Sequence, residues 1–429
     1  MVSGECHYVN RHSIQAYPVK RIYFCKFPNS LLKTHHSLLY LSPMTKKVLY
    51  LTGYQWLWVL YIAVAAYTCV FKYNRHIDNN YKIFRASYYH ARAEKNLYVT
   101  YPNEYGDIYY YGPVFPLIIA PSALLPHGWG FLLWELVNAI AILIAVNMLP
   151  FTVRQKTQLL LLCAIEYANS VFYMQFNPAI TAMILLSFIF VERGKEQWAT
   201  LFIVLGFLIK LYPVIGLVFF LFSKNKGRFA LWTAIWLAVF LALPLVLYSP
   251  SYMINSYREW FIAVHNKVGL NAYFDSPQDI CVMGVVRRVT GNINVPNAPF
   301  IAVGALLFAL PLLRFSQYKA FKYRMQILAS ALIFIVIFST GAEHPTYIIA
   351  VMGVFIWMLI QDKPYTTTNI IFLVLVLVVT GLGLTDAVPK FIRQPYIARY
   401  SVKAWPVIII WGKIVYELLL KDFVLKIGD

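Results

Sequence analysis

The sequence predicts an all-α polytopic membrane protein, and its composition, its long apolar runs and the placement of its charges all favour this class. Of the 429 residues, 60% are hydrophobic and only 13% are charged. A soluble chain of this length does not bury so much apolar surface, because single hydrophobic cores stop growing at about 250–300 residues. Runs such as 48–71 are long enough to cross a hydrocarbon layer of about 30 Å.

The net charge of +19 does not indicate a nucleic-acid-binding protein. The 37 Lys and Arg lie mostly in short loops between apolar runs, where they set topology and contact anionic membrane lipids. The five cysteines show no CxxC or CxxH spacing, so neither a zinc site nor a disulfide framework is indicated. We expect no metal and no cofactor.

Residues 1–43 differ from the rest of the chain. They are basic and lack both a long apolar core and a small-residue cleavage site, so they are not typical of a signal peptide. Met44 is followed by "TKK" and a full span, as at a bacterial start. We expect 1–43 to be a gene-model extension or a disordered cytoplasmic tail, 44–420 to form the membrane domain, and 421–429 to be a cytoplasmic tail.

The membrane segments are placed by apolar length and checked by the charge of the loops. Lys46 and Lys47 precede the first span, which puts the N-terminal side in the cytoplasm. A polar loop, 72–112, follows, and a loop of about forty residues is usually functional. The later apolar segments are 113–126, 129–150, 157–173, 178–192, 197–222, 228–249, 299–314, 324–340, 345–361, 367–385 and 404–420.

Two of these segments are irregular. Segment 113–126 is too short to span and contains four prolines, which favours a short or re-entrant helix. Segment 197–222 must return to its own side, because basic loops flank it at both ends. Its central "IKLYP" (209–213) predicts a break into two short helices. An ionisable residue at this depth makes Lys210 a candidate functional residue.

Three large pieces, 72–112, 250–298 and 386–403, fall on the external side. The last violates the positive-inside tendency, and binding an anionic group would explain this. Its basic residues are Lys390, Arg393, Arg399 and Lys403.

The first external loop combines an amphipathic pattern with carboxylates. Tyr81, Phe84, Tyr88 and Ala91 recur at helical spacing with basic residues between them, which predicts a helix lying flat on the outer membrane face. A plain surface anchor is the alternative explanation of the aromatic residues. In "EYGDIYYYGPVFP" (104–116), the three consecutive tyrosines are expected to form an interface collar.

Carboxylates just outside a bilayer suit a transferase, which deprotonates an acceptor hydroxyl while a lipid phosphate leaves. The candidates in the first loop are Asp78, Glu104 and Asp107. In "STGAEHPTY" (339–347), Glu343 and His344 lie at an external edge, either in a site or in a plain polar turn. "QFNP" (175–178) is interpreted as a tight external turn. Motifs for nucleotides, phosphate loops, zinc proteases and serine hydrolases are absent from the sequence.

These pieces occur in a recognisable order. The first span and its loop are followed by "WELVN" (134–138), "GFLIKLYPVIGLVFFL" (206–221) and "AEHPTYIIAVMGVFIW" (342–357). Together with the closing 385–411, they resemble the bacterial membrane proteins of glycosyltransferase family 87, formerly domain of unknown function 2029. The resemblance covers roughly 44–420.

The resemblance implies a GT-C superfamily fold, a bundle of about 10–13 membrane helices with the active site on the outer face. It also implies an inverting transfer from a polyprenyl-phosphate sugar, with mannose the characterised case, in a bacterial inner membrane. The general base of the family is an Asp in the first external loop. The position where many members carry it is here Asn80, before Tyr81, so the base is expected to be Asp78, with Asp107 and then Glu104 as alternatives.

The remaining roles follow from the same resemblance. Lys210 corresponds to a family lysine near the donor phosphate, and Lys390, Arg393 and Arg399 are further candidates to hold that phosphate or an acceptor headgroup. The residues expected to line the substrate pocket are Asn80, Tyr81, Tyr111, Glu343 and His344.

The sequence therefore predicts a membrane mannosyltransferase or related hexosyltransferase of the cell envelope, with a lipid or glycan acceptor. One alternative is a transporter or flippase for a lipid-linked or anionic solute, since broken helices and an intramembrane lysine also occur in transporters. The absence of an internal repeat and the position of the polar residues in external loops weigh against it. A non-catalytic membrane scaffold, which would not need the carboxylates, is a third possibility.

Overall fold

A computed structural model describes residues 52–423, and every regular element within that range is helical. The predicted all-α class is confirmed. The expectations for 1–43 lie outside the described residues, and only 421–423 of the predicted tail fall inside them.

The first half of the structure carries the external loop and the helix break. Its α-helices are α1 (Gly53–Asn74), α2 (Asn79–Arg92), α3 (Phe115–Ala123), α4 (His127–Met148), α5 (Val153–Phe172), α6 (Asn177–Glu192), α7 (Glu196–Ile209) and α8 (Lys226–Ala242). A 3₁₀ helix, Tyr212–Phe222, lies between α7 and α8, and another, Leu243–Val246, follows α8.

The second half closes the bundle. Its α-helices are α9 (Pro250–Asn271), α10 (Val282–Thr290), α11 (Asn297–Leu312), α12 (Phe321–Ile337), α13 (Tyr347–Leu359), α14 (Thr367–Leu375), α15 (Lys390–Ile392) and α16 (Trp405–Leu420). Short 3₁₀ helices occur at Phe315–Lys319, His344–Thr346 and Val402–Ala404, and π-helical turns at Val376–Leu382 and Arg393–Ala398.

Three helical stretches are long and apolar enough to cross a membrane: Gly53–Asn74, His127–Met148 and Lys226–Val246. Six shorter apolar helices of 10–17 residues accompany them within the described range. The expected total of about 10–13 membrane helices stays a prediction.

Local sequence explains how two of the long helices begin. Thr52 and Thr152 each accept a hydrogen bond from the backbone N–H three residues ahead, at Gln55 and Gln155. Each glutamine side chain accepts in return from the backbone N–H of its threonine, at 2.9 and 3.0 Å. These capping boxes satisfy N–H groups that would otherwise have no partner at a helix start.

The centre of the bundle is α13, whose residues are all buried. It packs against α12 at close range. A Cβ added to Gly353 would lie only 2.6 Å from the carbonyl oxygen of Ala329, so glycine is needed for the two backbones to approach. Helix α12, which precedes α13 in the chain, forms part of one wall of the cavity described below.

The predicted break in segment 197–222 is confirmed. Helix α7 ends at Ile209, Lys210 is extended at φ −150° and ψ 124°, and the 3₁₀ helix begins at Tyr212. The external loop docks onto this break, because the N–H of Gly112 donates to the Ile209 carbonyl at 3.1 Å. A Cβ on Gly112 would lie 1.8 Å from the Leu208 carbonyl oxygen, so only glycine permits this contact.

The amphipathic helix of the first loop is present as α2, but its apolar face is covered by protein. The side chains of that face pack into the protein and are not left for lipid; they are Tyr81, Phe84, Tyr88 and Ala91. The ring of Phe84, for example, stacks on that of Tyr111 with 4.9 Å between centroids.

The expected tyrosine collar is also corrected. Tyr109 and Tyr111 are only 1% and 6% exposed, and their rings pack against Phe115 at 6.0 and 4.7 Å. Tyr110, which is partly exposed, faces the cavity. The sequence predicts a collar because tyrosines beside an apolar run suit a membrane boundary. Here, the packing of α2 and α3 covers them instead.

Candidate active site

A cavity of about 680 Å³ opens where the first loop, the helix break, α9 and the turn before His344 meet. Four charged side chains line it: Asp107, Lys210, Lys267 and Glu343. They come from four separate regions of the chain, so the fold brings together two acids and two bases that the sequence keeps apart. Asn80 and Tyr111, both predicted pocket residues, also line this cavity.

One wall of the cavity is apolar. It is built from α9, α11 and α12, and its members are Val264, Val268, Ile301, Phe334, Ile335 and Phe338. The cavity lining therefore combines charged side chains with an apolar wall. This combination suits an amphiphilic ligand with a polar head and a hydrocarbon chain.

Lys210 is held in a defined position. Its Nζ donates to Oδ1 of Asn177 at 2.8 Å, and it lies 5.4 and 5.5 Å from the ring centroids of Tyr111 and Tyr212. The amide of Asn177 is itself fixed, because its Nδ2 donates to the Pro345 carbonyl at 2.9 Å. A lysine restrained in this way is organised before a ligand arrives.

Asp107 reaches the cavity from a turn of the first loop. Its own Oδ1 accepts from the N–H of Ile108 at 2.7 Å, and the preceding Gly106 N–H donates to Oδ1 of Asn79 at 2.9 Å. These contacts fix the backbone that presents the carboxylate. The side chain is exposed to the cavity, so it is free to accept a proton from a bound hydroxyl.

Lys267, on α9, is a cavity residue that the sequence analysis missed. Its Nζ lies 3.5 Å from the ring centroid of Tyr110, a cation–π contact. Burial lowers the pKa of Lys267, and the nearby carboxylates of Glu343 and Asp107 oppose that shift. The ammonium group thus lies in the field of both acids.

Glu343 also lines the cavity. Its Oε2 accepts a hydrogen bond from Nε2 of Gln278 at 3.2 Å. Its neighbour His344, also predicted for the pocket, is buried and does not line the cavity; its ring meets the edge of Tyr173, with 5.8 Å between centroids.

Asp78 lies away from this cavity. It is 2% exposed, and its carboxylate bonds His127 through Oδ2 and pairs with Lys82 at 3.2 Å. Burial raises its pKa, but the hydrogen bond with His127 and the neighbouring charge of Lys82 outweigh burial and leave the pKa below its usual 3.8. The geometry assigns Asp78 to joining the starts of α2 and α4. The catalytic role of Asp78 stays a prediction, and its position outside the cavity lining does not support that role.

Replacing Asp78 with asparagine is expected to destabilise the protein by about 2 kcal/mol at neutral pH, since hydrogen bonds to a charged group are lost. A depressed pKa contributes stability that is present above the unfolded value of 3.8 and is lost as pH falls through the folded value. Thermal unfolding of both proteins in detergent should therefore show a constant difference from pH 7 down to about pH 4, and a smaller difference below it. A difference that grows on acidification would contradict this assignment.

The other predicted residues also lie outside the lining. Glu104 pairs with His90 at 2.9 Å, and Tyr81 stacks on Phe131 with 4.9 Å between centroids. Lys390 and Arg399 are exposed, and Arg393 pairs with Asp386 at 2.5 Å. Their roles in the site stay predictions, and none of these residues lines this cavity.

Two uncharged residues of the site were also missed. The sequence predicts a tight turn at Asn177, but in the structure this residue begins α6 and accepts a hydrogen bond from Lys210. Its sequence position before a proline was the available signal, since that dipeptide marks a helix start as well as a turn. Gln278 and Lys267 carried no comparable signal, because they lie in a stretch treated as an external loop. The 22-residue helix α9 was not predicted.

The sequence model of glycosyltransferase family 87 matches residues 109–340, more than half of the chain. The chain belongs to glycosyltransferase family 87. The predicted resemblance is confirmed, and the composition and apolar helices are those of a multi-pass membrane protein. The matched region of this family 87 protein contains Lys210, Lys267 and Tyr111, while Asp107 and Glu343 lie just outside its two ends.

Two known proteins are similar to this family 87 chain. GPI mannosyltransferase 1 of Dictyostelium discoideum is 23% identical over 251 residues, which cover 49% of this chain and 57% of that protein. The solved structure of ArnT from Cupriavidus metallidurans, bound to undecaprenyl phosphate, is 15% identical. That match covers 86% of this chain and 78% of ArnT, with a TM-score of 0.37, too low to support an argument.

Proposed function

We propose that this protein transfers a hexose from a polyprenyl-phosphate sugar to a hydroxyl of a lipid or glycan acceptor, with inversion, on the external face of a bacterial inner membrane. The observation that carries the proposal is the cavity itself. It unites Asp107 with Lys210 and Lys267 beside an apolar wall, inside or next to the region that defines the family.

The chemistry follows from these groups. The acceptor hydroxyl loses its proton to the Asp107 carboxylate as its oxygen attacks the anomeric carbon. The bond from that carbon to the phosphate oxygen breaks, and polyprenyl phosphate leaves with the electron pair. One displacement at the anomeric carbon inverts its configuration. Lysine ammonium groups placed at the charge that develops on the phosphate lower the barrier.

Each part of the cavity matches one part of the donor. The apolar wall of α11 and α12 suits the isoprenoid chain, Lys210 and Lys267 suit the phosphate, and Glu343 suits the hydroxyls of the sugar. Mannose is the first sugar to test, because the Dictyostelium relative is named a mannosyltransferase. The basic loops of the sequence support the assignment of the first loop and α9 to the side opposite the cytoplasm.

The test is a transfer assay with purified protein in liposomes of bacterial lipid. Polyprenyl-phosphate mannose and polyprenyl-phosphate glucose are supplied with an extracted lipid fraction as acceptor. We expect release of polyprenyl phosphate and a product of inverted anomeric configuration, with activity when donor is added on the side that bears the first loop. Movement of intact lipid-linked sugar across the liposome without any transfer would overturn the proposal in favour of a flippase.

A further inference from the structure

Gln278 connects the cavity to a buried charged cluster that the proposed chemistry does not use. Its side chain lines the cavity, and its Nε2 donates to the Glu343 carboxylate at 3.2 Å. An amide that donates to one carboxylate oxygen restricts the rotamer of that carboxylate. The orientation of Glu343 therefore depends on how firmly Gln278 is held.

The backbone around Gln278 is fastened to the turn that carries Glu343. The N–H of Asp279 donates to the Thr340 carbonyl at 2.9 Å, and the N–H of Ile280 donates to the Ala342 carbonyl at 3.0 Å. The Ile280 carbonyl accepts in turn from the hydroxyl of Tyr347 at 2.8 Å. Two consecutive backbone hydrogen bonds set the register between the two segments, so Gln278 and Glu343 face each other.

A buried ionic clamp holds this segment in place. Asp279 is fully buried and has a left-handed φ of 61°, a conformation that costs energy for a residue other than glycine. Arg287 donates to both oxygens of its carboxylate, from Nε at 2.8 Å and from Nη2 at 2.6 Å. Arg288 donates to the carbonyls of Ser276, Gln278 and Asp279, each at 3.2 Å.

The clamp also requires a glycine at position 284. A Cβ on Gly284 would lie 1.7 Å from the Asp279 carbonyl oxygen, so α10 approaches the segment as closely as glycine allows. Buried ion pairs of this kind contribute little net stability, because desolvation offsets the attraction, although losing one partner is costly. The buried ion pairs of this loop are therefore better explained by the position that they impose on Gln278 than by a gain in stability.

We propose that Gln278 is a positioning residue, which the Asp279–Arg287–Arg288 clamp presents to Glu343 so that this carboxylate binds the hydroxyls of the donor sugar in one orientation. This inference rests on the proposed function. It assigns to the clamp an effect on recognition of the sugar, distinct from the acid–base step at Asp107 and from the phosphate contacts of Lys210 and Lys267.

The test is a double-mutant cycle in the transfer assay. Gln278→Leu is expected to lower kcat/KM about tenfold, the size of one hydrogen bond to a charged group, mainly by raising KM for the donor. In a Glu343→Gln background, the same change should have almost no further effect, because the two residues act as one unit. Gln278→Glu keeps the size but places a like charge beside Glu343, so it should be worse than Gln278→Leu.

Asp275→Asn is the matched control. Asp275 lies in the same loop, is exposed and does not line the cavity, so its variant should transfer sugar as the wild type does. Independent, additive effects of Gln278→Leu and Glu343→Gln would overturn the inference, as would a milder effect of Gln278→Glu than of Gln278→Leu. If the wild type transfers no sugar from any donor, the proposed function fails first, and a common unfolding temperature of all variants shows that misfolding is not the reason.

Discussion

Replacing Asp107 with asparagine is expected to lower turnover by about 10²–10⁴-fold, the usual contribution of a general base. Asparagine has nearly the same shape as aspartate but does not accept the acceptor proton. Because the Asp107 side chain is exposed at a turn and hydrogen-bonds to the neighbouring backbone N–H of Ile108, which asparagine can also accept, the substitution should change stability little. The measurement is kcat for transfer at saturating donor, with the unfolding temperature recorded for the same preparation.

Two matched variants make this result specific. Asp78→Asn and Glu104→Gln each remove another first-loop carboxylate, but these acids are engaged with His127 and His90 outside the cavity. Both variants should keep transfer within a few-fold of the wild type. Loss of turnover in Asp78→Asn, assayed well below its lowered unfolding temperature, would show that the base is Asp78, and retained turnover in Asp107→Asn would exclude Asp107.

The comparison of Asp78 with Asp107 shows what the sequence was able to predict about the site. The short distance of Asp78 from the first span, and its closeness to the family position now occupied by Asn80, favoured Asp78. Sequence spacing does not show that His127, 49 residues after Asp78, forms a hydrogen bond with the Asp78 carboxylate. Asp107 was retained as an alternative for its position in the better-matched stretch, and that position is what places it on the cavity.

The fold was more predictable than the site. Apolar length and proline placement were sufficient to predict the helix class, the short α3 and the break at Lys210, because each depends on local chemistry. The burial of Tyr109, Tyr111 and the apolar face of α2 depends on which elements pack together. An aromatic stripe at helical spacing has the same sequence pattern whether lipid or protein covers it. The α9 helix, with its mixed composition, was missed for a similar reason.

The same contrast separates the two sets of cations proposed for the donor phosphate. Lys390, Arg393 and Arg399 were chosen because they violate a topological tendency, and the structure leaves them outside the cavity lining. Lys210 was chosen because it interrupts a helix within an apolar segment, and the structure places it in the cavity. For these residues, a charge within an apolar segment predicted a position in the cavity better than an excess of charge in a loop.

Replacing Lys210 with methionine is accordingly expected to lower kcat/KM about 10²–10³-fold, as when one preorganised donor is removed from a developing negative charge. The effect should exceed that of Lys267→Met, because Lys210 is fixed by Asn177 at 2.8 Å while Lys267 rests on the face of Tyr110. A fixed charge requires less reorganisation when the phosphate leaves. Methionine retains the length and apolar stem of the side chain, so the cavity should keep its shape.

The measurement is a comparison of transfer kinetics with inhibition by free polyprenyl phosphate, the proposed leaving group. Lys210→Met should weaken that inhibition as well as slow transfer, whereas Lys390→Met, which changes an exposed lysine outside the cavity, should alter neither. If Lys390→Met impaired transfer and inhibition more than Lys210→Met, the phosphate site would instead lie in the external segment 386–403. Slow transfer with unchanged inhibition would instead mean that Lys210 acts only when charge develops in the transition state, because binding of the product phosphate reports the ground-state contact alone.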